Sequence, residues 1–110
     1  MLTTDNLLTQ MRTKVLELYS PALQFKFEAE TDELKKKEFI KYRESCRHYL
    51  HELELQDLQE VLAEMKPLEA ELNLAIQSLE NALEDVNNTV GIIGSIKTLS
   101  GIMARLFTIF

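Results

Sequence analysis

The sequence predicts an all-α protein, and three observations support that prediction. Its 110 residues include three Gly, two Pro and no Trp, with abundant Leu, Glu, Ala and Lys, which is a composition that favours helices. Apolar residues recur at spacings of three and four along most of the chain. The β-branched and aromatic runs typical of strands occur only near the end. We therefore expect a single domain, residues 1–110, formed by an antiparallel bundle of three to four long helices with coiled-coil-like seams.

The first helix is predicted to begin at Thr4, where a capping side chain precedes an acid in the first turn. Ser20-Pro21 then interrupts the pattern, because proline lacks an amide hydrogen and disfavours helical geometry in the residue before it. Either one helix over residues 4–29 is kinked there, or a second helix begins at Pro21 with Ser20 as its cap. The apolar face comprises Leu8, Met11, Val15 and Leu18, and continues through Ala22, Phe25 and Ala29.

The second region, near residues 32–53, has Thr31 as its predicted cap. Six basic residues lie between Lys35 and Arg47, and we expect them to form a solvated face that packs beside the acids of residues 52–71. A turn is predicted near residues 54–57, followed by capping-box spacing from Asp57 to Glu60. The expected buried stripe is Leu34, Phe39, Tyr42, Cys46, Tyr49 and Leu53.

The third region, near residues 57–88, carries a heptad pattern with a 3.5-residue period, which is typical of bundle packing. Pro67 lies inside the pattern without changing its phase, so we expect a kink or a tight break there. One set of positions is Leu58, Met65, Leu72, Leu79, Val86 and Ile93, and the interleaved set is Leu62, Glu69, Ile76, Leu83 and Val90.

The last apolar segment, about residues 90–110, is predicted to be a separate helix. Asn87-Asn88-Thr89 favours a helix boundary, with Thr89 as a cap, and the apolar seam shifts by one residue beyond it. A single helix from Pro67 to the end is the alternative. The expected core seam is Leu72, Ile76, Leu79, Leu83, Val86, Ile92, Ile96, Leu99, Met103 and Leu106, and it extends to Phe110.

A second face of this last helix consists of small residues and suggests an interaction surface. Small side chains in a row allow another helix to approach closely. The alternative is that the helix is simply crowded inside its own bundle. The residues of this small-residue face are Gly91, Gly94, Thr98, Gly101, Arg105 and Thr108.

The same segment is long enough to span a membrane, but its charge opposes insertion. Its ten Val, Ile, Leu and Phe residues would gain about 5 kcal/mol in a bilayer, whereas a central cation such as Lys97 costs about 2.5–3.5 kcal/mol. The polar residues and glycines remove most of the remainder. We therefore expect an amphipathic bundle helix, and membrane contact is not favoured.

Composition excludes several other classes of function. The formal net charge of −6 argues against general nucleic-acid binding, which requires cations that neutralise phosphates. The single cysteine, Cys46, and an N-terminus without a sustained apolar run favour a cytoplasmic protein. Zinc-binding side chains occur at Cys46, His48 and His51. Cys46, however, belongs to the apolar stripe and points away from His48 around the helix. No metal or other cofactor is therefore predicted.

No catalytic motif is present, so the predicted function is non-enzymatic. We expect a helical interaction or scaffold module that self-associates or docks a partner protein through its apolar C-terminal helix. The expected assembly is a homo-oligomer or a subunit of a larger complex. The alternative is a membrane-active or membrane-sensing protein whose C-terminal helix is released onto lipid.

Overall fold

A computed structural model describes residues 3–108, and within them the chain folds into six α-helices without strands. The all-α prediction is therefore confirmed, although these helices are more numerous and mostly shorter than expected. A 3₁₀ turn, Lys66–Leu68, joins the fourth helix to the fifth. The helices are α1 (Thr4–Glu17), α2 (Pro21–Glu28), α3 (Glu33–Glu54), α4 (Leu58–Met65), α5 (Glu69–Leu83) and α6 (Thr89–Phe107).

Five of the helices begin at a side chain that accepts hydrogen bonds from the first turn, which is the usual role of an N-cap residue. The caps of α1 and α6 lie one residue before the predicted caps, and the cap of α3 lies one residue after its predicted cap. The caps are Thr3 for α1, Ser20 for α2, Asp32 for α3, Asp57 for α4 and Asn88 for α6.

The Ser20-Pro21 break separates two helices, and this changes which residues of α2 are buried. Ser20 caps the new helix by accepting from the amide of Leu23 at 3.4 Å. Leu23 and Phe27 are buried, whereas Phe25 is 70% exposed. The predicted continuation of the apolar face through Ala22, Phe25 and Ala29 is wrong, because a helix that restarts at Pro21 has its own rotation.

The predicted heptad pattern of residues 58–93 is divided among α4, α5 and α6. The chain tightens into the 3₁₀ turn at Pro67, and α5 ends at Leu83. As a result, Leu58 and Val90 are 51% and 68% exposed, and neither continues the seam. The alternative of one helix from Pro67 to the end is also wrong, because residues 84–88 are not helical.

Most of the predicted core seam is nevertheless buried. Leu83 and Val86 are half-buried and pack against the core, and Phe110 lies outside the described residues. The fully buried members are Leu72, Ile76, Leu79, Ile92, Ile96, Leu99, Met103 and Leu106.

Helix α6 lies at the centre of the fold. It packs most extensively against α3 and next against α5, while α1 packs on α5 and α2 packs on α3. Ten residues of α6 are buried, including Ser95, whose hydroxyl lies 3.0 Å from that of Ser78 on α5. Helix α6, whose composition would allow it to span a membrane, is therefore covered by the rest of the chain on the side that carries its largest apolar residues.

Helix α3 is rotated slightly from the predicted stripe. Tyr42 and Tyr49 are only partly buried, and Leu34 is 66% exposed. The buried positions are spaced four, three, four and three residues apart, and one of them is a cation. They are Phe39, Arg43, Cys46, Leu50 and Leu53.

The predicted charge pairing between the basic and acidic regions is not observed in residues 3–108. None of the ion pairs found there joins residues 35–47 to residues 52–71, because α3 packs mainly on α6. The ion pairs are Arg12–Glu54, Lys14–Glu17, Lys14–Glu80 and Arg105–Glu71.

A charge at the centre of α5 should unfold the protein. Leu79 is 0% exposed, so Leu79→Asp would bury an unpaired carboxylate and is expected to lower the free energy of unfolding by about 4 kcal/mol or more. Leu74→Asp is the matched control, since Leu74 lies on the same helix and is 66% exposed. Urea denaturation followed by circular dichroism measures both. Equal stability of the two variants would contradict this core assignment.

Candidate interaction surface on α6

The predicted small-residue face of α6 lies on the outside of the molecule. Its members are exposed, with the exception of half-buried Gly91. The face comprises Gly91, Gly94, Thr98, Gly101, Arg105 and Thr108, so it runs along almost the whole helix. At a rise of about 1.5 Å per residue, it is about 26 Å long.

The glycines on this face differ in what surrounds them. A Cβ atom at Gly91 would lie 2.8 Å from Cγ of Asn88, whose side chain accepts a hydrogen bond from the Gly91 amide at 3.1 Å. The need for glycine at position 91 is therefore explained by the cap of α6, where a side chain would collide with Asn88. A Cβ atom at Gly94 or Gly101 would meet no atom within 4 Å. Crowding inside the bundle therefore does not account for these two glycines.

The polar groups on the same face are largely satisfied by their own chain. The Thr98 hydroxyl donates to the Gly94 carbonyl at 3.1 Å, and the Thr108 hydroxyl donates to the Arg105 carbonyl at 2.8 Å. Arg105 forms an ion pair with Glu71 on α5. An approaching helix would therefore meet mostly small side chains, whose hydroxyls do not require new partners, and the one long side chain of Arg105.

Among the described helices, α6 alone is long and apolar enough to cross a membrane, judged by length and composition. The mean hydropathy of its most apolar 18-residue window is 1.4, and half of that window is buried inside the protein. Core helices of soluble proteins have the same properties, so this measure does not distinguish a lipid contact from a protein core.

Cys46, His48 and His51, the residues of zinc-binding type on α3, do not converge on one point. Within residues 3–108, no three His, Cys, Asp or Glu side chains are placed to hold a metal ion. Cys46 is buried, its thiol lies 3.7 Å from the Ile96 carbonyl, and burial raises the pKa of this thiol to about 12. His48 instead packs near aromatic rings, with centroids 5.5 Å away for Tyr49 and 5.9 Å for Phe107.

The basic and aromatic run of α3 is also divided between inside and outside. Phe39 is 1% exposed, and Tyr42 and Tyr49 pack against the core. These rings are engaged in packing, so they do not form an exposed platform on which bases could stack.

Arg43 is one of the six basic residues predicted to be solvated, and for this residue the prediction is wrong. It is 9% exposed and lies over the rings of Tyr19 and Phe39. Its spacing held the signal, because it lies four residues after Phe39 and three before Cys46, on the buried side of α3.

Alanine at the two exposed glycines should stabilise the monomer. Glycine in a helix interior costs about 0.5–1 kcal/mol relative to alanine, and nothing nearby would oppose the added methyl group at Gly94 or Gly101. Each substitution is expected to raise the free energy of unfolding by that amount, measured by urea denaturation at low protein concentration. Gly91→Ala is the control, and its gain should be smaller because the Asn88 side chain must move. A loss of stability in Gly94→Ala or Gly101→Ala would contradict an open face.

Comparison with protein-family models, with curated proteins and with solved structures finds no match for this chain. The surface of the chain itself is therefore the guide to its function. The distinguishing feature of that surface is a long outer face on α6, with two glycines that the surrounding protein does not require.

Proposed function

We propose that this protein is a non-enzymatic helical interaction module, in which the outer face of α6 pairs with the same face of a second copy. The observation that supports the proposal is the exposure of Gly94 and Gly101 in the middle of a helix. Each glycine lowers the stability of the isolated chain by about 0.5–1 kcal/mol. A close helix contact made by the assembled form would offset that cost.

The spacing of the glycines suits such a contact. Gly94 and Gly101 are seven residues apart, which is close to two helical turns, so they lie on nearly the same side of α6. Helix axes usually pack 8–10 Å apart, depending on the side chains between them, and small residues permit the closer end of that range. Thr98 lies between the two glycines, with its hydroxyl already bonded to its own helix.

A two-fold pair would use the same face on both copies, and the charge on that face does not prevent this. Arg105 is paired with Glu71 of its own chain, so part of its positive charge is compensated before association. The formal net charge of −6 would slow the encounter of two copies at low ionic strength, since like-charged molecules repel, and salt would screen this effect.

We also propose that the body behind this face is an antiparallel bundle with coiled-coil-like seams. Helices α5 and α6 pack together and are joined by only residues 84–88, a connection length typical of antiparallel neighbours. Alternating spacings of three and four separate the buried residues of α3, and the same spacings recur in the α6 seam from Ile92 to Leu106. Such seams would hold α6 in one orientation and keep its outer face exposed.

Bulky side chains on the face should abolish self-association without unfolding the chain. The wild-type protein is expected to dimerise with increasing concentration in sedimentation velocity, whereas Gly94→Leu and Gly101→Leu should remain monomeric because leucine holds the helices apart. Circular dichroism should show the same helix content in all three.

Gln77→Leu provides the matched control, because Gln77 is exposed on α5 and lies outside the face. It adds similar apolar surface and should leave dimerisation unchanged. A wild-type protein that stays monomeric throughout the concentration series would overturn the proposal of a second copy. Capture of another protein by wild type but not by Gly101→Leu would then assign the face to a different partner.

A membrane-binding role is the second candidate, and the length and hydropathy of α6 favour it. In that case, α6 would have to leave α3 and α5, because its large apolar side chains face the core. The protein would then float with liposomes, and the amides of α6 would exchange hydrogen faster in their presence. Failure to float with both neutral and anionic liposomes would eliminate this candidate.

A further inference from the structure

The outward side of α3 carries a row of charged residues, here called the α3 stripe. It lies on the side of the helix away from the buried residues, and every member is exposed. At a rise of about 1.5 Å per residue, the stripe is about 16 Å long, or about three helical turns. It consists of Lys37, Ile40, Lys41, Glu44, Arg47 and His48.

The charges of the stripe have no counterpart in the described part of the molecule. Three cations, Lys37, Lys41 and Arg47, outnumber the one anion, Glu44. The stripe is therefore positive overall, whereas the chain has a net charge of −6. None of the ion pairs formed within residues 3–108 includes any of these four residues. The acids of residues 52–71, which the sequence predicts as partners of the basic region, do not pair with them.

Two of the cations lie close to aromatic rings. Nζ of Lys41 is 5.2 Å from the ring centroid of Tyr42, and Cζ of Arg47 is 5.3 Å from that of Tyr19. Attraction to a ring restricts a long side chain without neutralising its charge. An incoming anion therefore meets cations that have already lost part of their freedom, which lowers the entropic cost of binding.

An apolar residue lies among these charges. Ile40 is 44% exposed, and it borders a shallow groove of about 580 Å³ along α3. Five of the six members of the stripe line this groove, and half-buried Tyr49 lines it as well. A partner with an apolar side chain at this point would cover Ile40 while its charged groups meet the lysines beside it.

The order of the charges indicates the class of partner. Nucleic acid and an anionic membrane present negative charge throughout, and both would repel Glu44 near the centre of the stripe. A helix of a partner protein can place carboxylates opposite Lys37 and Lys41 and a cation opposite Glu44. Residues three and four apart share one face of a helix, so a single face supplies all of these groups at the spacing of the stripe.

We propose that the α3 stripe docks an amphipathic helix of a partner protein, with carboxylates opposite Lys37 and Lys41, a cation opposite Glu44 and an apolar side chain on Ile40. Charged contacts of this kind select the partner more than they strengthen binding. The stripe and the outer face of α6 lie on different helices. The partner helix is therefore an addition to the proposed self-association, and either proposal can fail without the other.

The test uses fluorescein-labelled synthetic peptides of about 20 residues, since shorter isolated helices are marginal in water. The mixed peptide carries Leu to cover Ile40, two Glu to meet the lysines and one Lys to meet Glu44. The all-acidic peptide has Glu in place of that Lys and is otherwise identical. Each is made in both sequence orders, so that parallel and antiparallel docking are both sampled. Fluorescence anisotropy measures the affinities.

The wild-type protein is expected to bind the mixed peptide about threefold more tightly than the all-acidic peptide, because only the mixed peptide compensates Glu44. Glu44→Lys should reverse this preference. Lys41→Glu should weaken the binding of both peptides by roughly tenfold, since an attractive pair becomes a repulsive one. Lys66→Glu is the matched control, because Lys66 is exposed and lies outside the stripe. It should bind both peptides like wild type.

Absence of saturable binding of the mixed peptide would overturn the proposal. Equal or tighter binding of the all-acidic peptide by wild type would overturn it as well, because the stripe would then attract anions without selecting among them. A short labelled DNA duplex that binds more tightly than the mixed peptide would overturn the assignment to a protein partner. Loss of self-association in Lys41→Glu would instead assign the stripe to a second copy. Circular dichroism should show the same helix content in all variants, since the substituted residues are exposed.

Discussion

The burial of α6 between α3 and α5 is the interaction on which the rest of the structure depends. Ile92, Ile96, Leu99, Met103 and Leu106 are all 0% exposed. At about 1.5–3 kcal/mol for each fully buried side chain, this one helix contributes roughly 10 kcal/mol of gross apolar stabilisation. That amount is comparable to the whole net stability of a typical domain, about 5–15 kcal/mol. The short helices α2 and α4 are placed around a core that α6 completes.

Specific polar contacts fix the rotation of α6 within that core. Ser95 meets Ser78 on its buried side, and Arg105 meets Glu71 at its exposed edge. Apolar burial is non-directional, so contacts of this kind help to select which side of the helix faces outward. The outer face is therefore a defined surface and not merely the remainder of an apolar helix.

The sequence predicts the all-α class and the seam of α6 because both depend on local signals. Short polar residues mark the helix starts, and the spacing of apolar residues marks the seam. The prediction was wrong at Phe25, Leu34, Leu58 and Val90, which are all large apolar side chains exposed by 51% or more. Leu34, Leu58 and Val90 lie in the first turn of a helix, and Phe25 lies on α2, whose rotation is reset at Pro21.

The small-residue face of α6 and the burial of Arg43 differed in how far the sequence predicts them. The small-residue face is visible in the sequence as a spacing of three and four, whereas its exposure depends on which side of α6 meets α3. The burial of Arg43 is indicated by its spacing from Phe39 on α3, whereas its contact with Tyr19 joins α3 to the connection between α1 and α2. The contact with Tyr19 joins segments that are distant in sequence, and it has no local sequence signal.

The contact between α3 and α6 also joins parts of the chain that are far apart in sequence. Cys46 and the Ile96 carbonyl, which meet at the centre of that contact, are separated by 50 residues. The chain must therefore close a long loop, and lose the corresponding entropy, before its main apolar gain is realised. Helical proteins with mostly local contacts fold fastest. This topology implies slower folding than a simple succession of helical hairpins.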